Sequence, residues 1–147
     1  MPRFAFAHLL FAALALSGCA RGGDVSAEQG VRAFMAGVFD RPEARLTVPT
    51  VATVGDYAVA GWLQDGRGGR ALLKRSDEGW EFVVCSGDEL LQPAGLRSAG
   101  LPADLADNMV DRLRQAEASL SSEQRARLGS FRGVLRMEGV GHPPVAR

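Results

Sequence analysis

The chain reads as an α+β protein, an antiparallel β-meander of about four to five strands packed by an N-terminal helix and a C-terminal helical segment. Three observations carry that reading. Between Asp56 and Asp88 lie three short apolar runs of strand length, separated by Asp65-Gly66-Arg67-Gly68 and Asp77-Glu78-Gly79. Such spacing leaves room for hairpins and none for crossover helices. Before this stretch, apolar residues recur at helical spacing, and after Cys85 the period changes from two back to three or four. With 147 residues and 46% hydrophobic side chains, there is material for a single core.

Residues 1–18 read as a signal segment rather than as part of the fold. Arg3 gives a weakly basic start, Leu9 to Leu16 an apolar run too short to span a bilayer, and Leu16-Ser17-Gly18 a small-residue approach to cleavage. Leu16-Ser17-Gly18-Cys19 closely resembles the lipobox of bacterial lipoproteins. That resemblance implies cleavage before Cys19, lipidation of Cys19, and anchoring through several acyl chains at about 0.8 kcal/mol per buried methylene. Ala20, in place of Asp, is similar to lipoproteins sorted to the outer membrane. An ordinary secretory signal with a chance cysteine is the alternative. Residues 19–25 read as a short tether holding the domain near the periplasmic face of the envelope.

A single domain is expected over 26–138. Ser26 and Gln29 form a capping box for a first helix whose stripe is Val31, Phe34, Met35 and Val38, read as core, and which Pro42 ends. Leu46 to Val54 reads as a strand that Pro49 confines to an edge or splits at a bulge. In the next run Ala58, Ala60 and Trp62 share one face and Tyr57, Val59, Gly61 and Leu63 the other. The small residues Ala58, Ala60 and Gly61 predict a helix packed close, with the first helix as the candidate. Strict alternation then puts Trp80, Phe82 and Val84 in the core, with Glu81, Val83 and Cys85 opposite. Ser86 and Glu89 make a second capping box, predicting a helical turn from Gly87. Pro93 interrupts it, and a short helix reaches Arg97 and stops at Gly100. Pro102 opens the longest helix, with Leu105, Met109, Leu113, Ala116 and Leu120 on one stripe. Ser121 and Gln124 start another short helix, and Phe131, Gly133, Leu135 and Met137 alternate as a last strand. Residues 139–147 read as a mobile tail.

Charge and composition exclude more than they assign. The formal net charge is zero, and without the signal segment the body is close to minus one, so a nucleic-acid role has no basic excess to support it. His142 is the only histidine after residue 18, and no glycine-rich phosphate loop precedes a helix, so no enzyme is expected. Cys85 is the only cysteine in the body. Placed between a strand and a helix N-terminus, it would carry a lowered thiol pKa; as a small core residue it would be inert. A Cys85 thiolate with the Met137 thioether favours Cu(I), and His142 adds an imidazole, although Cys85, Met137 and His142 show no metal-ligand spacing.

Phe39-Asp40-Arg41-Pro42 leading to Leu46-Thr47-Val48, Gly55-Asp56-Tyr57-Ala58-Val59-Ala60-Gly61-Trp62, Gly69-Arg70-Ala71-Leu72-Leu73 and Cys85-Ser86-Gly87-Asp88 together resemble the copper uptake system-associated proteins, small exported bacterial proteins. The resemblance extends over nearly all the mature domain, to about Met137. It implies a non-enzymatic accessory of copper uptake or handling, working beside periplasmic copper chaperone or transporter proteins. The alternative is a small envelope domain that binds a protein or small ligand and has no metal role.

Overall fold

The computed structural model describes residues 22–141. Along the chain run α1 (Gly22–Phe39), β1 (Thr47–Val54), β2 (Tyr57–Gln64), β3 (Arg67–Ser76), β4 (Gly79–Ser86), a 3-10 turn (Asp88–Leu91), α2 (Pro93–Ser98), α3 (Ala103–Glu117), α4 (Ser122–Leu128) and β5 (Leu135–Arg136). Residues 1–18, read from the sequence as a signal, together with Cys19 and His142, lie outside the described residues. The sheet is antiparallel throughout, in the order β1-β2-β3-β4-β5, so the chain is α+β with a five-stranded meander.

Turn chemistry sets the register. Gln64 pairs with Arg67 across a two-residue loop in which both Asp65 (φ 49°) and Gly66 (φ 74°) are left-handed. Positive φ at both positions defines the type I′ hairpin, whose twist matches that of the strands it joins. The turn is shorter than the glycine-rich stretch suggested, because Arg67 and Gly68 already belong to β3. On the edge strand the pairing jumps from Thr47↔Leu63 to Thr50↔Gly61, which places the extra residue at Val48-Pro49. Proline has no N–H for a ladder, and a bulge on an edge accommodates it.

A second bulge changes which residues face which layer. Leu73 pairs with Phe82 but Leu72 pairs with Val84, leaving Val83 unmatched on β4. Beyond it the alternation is inverted: Trp80, Phe82 and Cys85 lie on the α1 face, and Val84 lies on the other. Cys85 is thus a core residue of the first face, and the strict alternation read from the sequence fails at Val83.

Both faces of the sheet are covered. Val31 and Met35 of α1 pack on Ala58, Ala60, Ala71, Leu73, Trp80 and Phe82. The fit is close, since a Cβ on Gly30 would stand 3.1 Å from the Trp80 indole nitrogen. On the opposite face Ala106, Met109, Val110 and Leu113 of α3 cover Ala52, Val54, Val59, Leu72 and Val84. Burying a side chain of this size contributes about 1.5–3 kcal/mol. Gly61, expected to admit α1, instead admits α4: a Cβ there would meet Thr50 Oγ1 at 2.6 Å and Leu128 Cδ1 at 3.1 Å.

Two helix ends and the C-terminal segment depart from expectation. α1 is already helical at Gly22, so Ser26 lies inside it instead of capping it, and residues 22–25 are helix where a tether was expected. α3 ends at Glu117, before Leu120, whereas Ser121 and Gln124 do form the reciprocal capping box of α4. At the C-terminal side Val140 packs on the α1 cluster and a Cβ on Gly141 would stand 2.9 Å from Phe34, so the chain is docked through 141 instead of loosening at 139.

Candidate functional site: an apolar chamber beneath the first helix

The bulge at Val83 and the short last strand together build a chamber. Cys85 pairs with Leu135 across β4–β5, and two residues later the Met137 N–H donates to the carbonyl of the bulged Val83 at 3.0 Å. This bond holds Met137, also buried, on the Cys85 side of the sheet. Met35 and Phe39 descend from α1 to form the roof, Trp62 and Phe82 come from the sheet, and Phe131 and Leu135 close the flank. The chamber, open at its mouth, has a volume of about 180 Å³, and no charged side chain lines it. Among the predicted ligands, the structure therefore brings Cys85 and Met137 to one cavity and adds Met35, which its helical spacing alone assigns to packing.

Aromatic contacts fix the roof. The Phe82 ring lies 5.0 Å from that of Phe34 and 5.3 Å from that of Phe39, both tilted, and Trp62 meets Phe131 edge-on at 6.0 Å. Pairs of this kind contribute about 0.5–1.5 kcal/mol beyond burial. Gln64 Nε2 donates to the Phe39 and Ala44 carbonyls, each at 2.7 Å, tying the end of α1 and the following turn to β2 at the chamber's mouth.

The environment of Cys85 differs from the electropositive one expected. Only 6% of the residue is exposed, and burial pushes its thiol from the ordinary 9.0 up to about 12. Desolvation penalises the thiolate, and nothing offsets it. The turn after β4 is one 3-10 turn beginning at Asp88, with no side-chain cap at Gly87, and its buried Leu90 packs with the α3 layer. Ser86 makes no capping box. Its hydroxyl lies 2.7 Å from Glu89 Oε2 and 2.8 Å from the Gly133 carbonyl, donating to one or the other. That bond is the first cause holding the Glu89 carboxyl below its ordinary 4.5, followed by the N–H groups of Glu89 and Gly87.

Outside the chamber a cleft of about 540 Å³ opens, bordered by Arg41, Arg67, Arg132 and Asp65. It shares Phe39, Trp62, Gln64 and Phe131 with the chamber. Sequence reading missed this cleft, because its arginines come from three separate loops and strands. Behind the sheet, Arg70, 1% exposed, donates to both Glu117 carboxylate oxygens at 2.7 Å and to Asp88 Oδ1 at 3.0 Å, binding β3 to α3 and to the turn after Cys85.

Among the described residues no group of three or more His, Cys, Asp or Glu side chains could hold a metal ion, so any soft-metal site rests on thioethers beside Cys85. No helix among them is long and apolar enough to cross a membrane. No protein-family model, curated protein or solved structure matches the chain.

Proposed function

We propose that the protein is a non-enzymatic, lipid-anchored accessory of bacterial copper uptake or handling, held to the envelope through Cys19 and taking Cu(I) as cargo in the chamber beneath α1. One observation carries the proposal: three sulfur-bearing residues, Cys85, Met35 and Met137, line the same small cavity. Sulfur donors of this softness select Cu(I) over harder divalent ions. The resemblance to the copper uptake system-associated proteins supports the same cargo, and periplasmic copper chaperone or transporter proteins are its partners in this reading. Loading would expel the proton that burial keeps on Cys85, so affinity rises with pH. His142, which follows the docked Gly141, remains a candidate fourth donor in this proposal.

Thermal unfolding with and without Cu(I), under anaerobic conditions, tests the reading. A ligand at a hundred times its Kd stabilises the folded state by about 2.7 kcal/mol, or roughly 10 °C in a domain of this size. Met35→Leu and Met137→Leu preserve volume and should cost under about 1.5 kcal/mol of stability. They should nevertheless reduce the copper response. An unchanged Tm at saturating Cu(I) would contradict the proposal.

A second reading is favoured by the chamber's wall. An apolar cavity of about 150 Å³ takes a benzene ring, and this one, at about 180 Å³ with a protonated thiol, suits an apolar group of that size without any metal.

A further inference from the structure

We infer that the chamber and the outer cleft together form one site for a small organic anion, whose phenyl-sized apolar part enters the chamber while its carboxylate rests among the arginines of the rim. This rests on the second reading, the chamber as an apolar receptor, and not on copper. Phe39, Trp62, Gln64 and Phe131 line both voids, so the two adjoin and a ligand of this length can reach from one into the other past those side chains. Inside, the wall is apolar and about 180 Å³ is free, which suits an aromatic ring and excludes a charge.

Outside, Arg41, Arg67 and Arg132 stand against a single bordering carboxylate, Asp65. Arg132 also bears on Glu89, but Arg41 and Arg67 make no side-chain ion pair among the described residues. Guanidinium forks bind carboxylates through paired N–H donors. Apolar burial thus supplies affinity, and the rim selects charge.

The test is calorimetric titration of the full chain in zwitterionic lipid nanodiscs, with chelator present and empty nanodiscs as blank. The probes are 3-phenylpropionate, the neutral 3-phenylpropan-1-ol, and propionate. 3-Phenylpropionate should bind about tenfold more tightly than the alcohol, a difference of about 1.4 kcal/mol, with propionate weaker than both. Arg41 and Arg67 are exposed, so Arg41→Gln with Arg67→Gln should fold normally, abolish the preference for the anion and leave the alcohol unaffected. Equal binding of anion and alcohol, or no heat from either aromatic probe, would overturn it. A chain that binds the anion but ignores Cu(I) keeps this inference and loses the copper reading; the reverse result loses this one.

Discussion

Replacing Glu117 with Gln should cost about 3 kcal/mol of folding stability. Arg70 is 1% exposed and Glu117 4%, and the two meet through both carboxylate oxygens at 2.7 Å. Removing one partner of a buried pair leaves a desolvated charge behind, which typically costs 3–5 kcal/mol. The lower end applies because Arg70 Nη1 keeps Asp88 at 3.0 Å, although that side chain is 70% exposed and its attraction is weakened by solvent. In either of its two orientations the amide would also turn its NH2 donor toward a guanidinium N–H, because both carboxylate oxygens accept from Arg70. Against a total stability of about 5–15 kcal/mol the loss is large. In urea, with a slope of about 2 kcal/mol per molar, the midpoint should fall by roughly 1.5 M. The double change Arg70→Met with Glu117→Leu removes the charges together and should lose much less than the single change. A single-variant loss below about 1 kcal/mol, or a double variant worse than the single, would refute the view that this pair is a desolvated charge clamp between β3 and α3.

Four further outcomes follow from the geometry. Gly95→Ala should destabilise by about 1–3 kcal/mol in the same urea assay, because a Cβ there would run into the Glu89 carbonyl. Stability should fall with rising pH between about 9 and about 12, by up to ~1.4 kcal/mol per pH unit. The unfolded thiol loses its proton from about 9.0 while folded Cys85 keeps its own until about 12, so the contribution is complete below 9 and absent in Cys85→Ala. Native-state alkylation of Cys85 should be slow and limited by opening of the α1 layer, and a rate equal to that of an unfolded thiol would contradict its burial. Ser86→Ala should raise the Glu89 pKa, read by NMR titration, since the Ser86 hydroxyl is the foremost cause of its depression. The associated stability is present above the unfolded carboxyl pKa and declines as pH falls, so the variant should show a shallower acid limb.

The meander was legible because its turns announce themselves: Asp65-Gly66 specifies a type I′ hairpin from local backbone preference alone. Pro49 likewise marked a bulge on an edge strand, and Ser121 with Gln124 marked a helix start. The bulge at Val83 carries no such mark, since valine suits a regular strand as well as a bulged one. One unmarked insertion was enough to send Cys85 to the opposite face, because side chains alternate with period two. Ser86-x-x-Glu89 has the pattern of a capping box, yet only a 3-10 turn follows and the hydroxyl donates instead of accepting. Met137 was singled out as a thioether donor, while Met35 was hidden in a helical stripe that any core-facing helix would show. Their convergence on Cys85 depends on tertiary packing between α1 and the Met137 strand end, which no local pattern encodes.

Whether the chamber holds Cu(I) on sulfur is decided by anaerobic titration of the full chain in nanodiscs against the chromophoric Cu(I) chelator bicinchoninate, followed by X-ray absorption at the copper edge. A single Cu(I) should be retained per chain with sulfur-dominated coordination, weakened by Met35→Leu or Met137→Leu and abolished by Cys85→Ser. Copper left wholly with the chelator, or retained equally by Cys85→Ser, would contradict it.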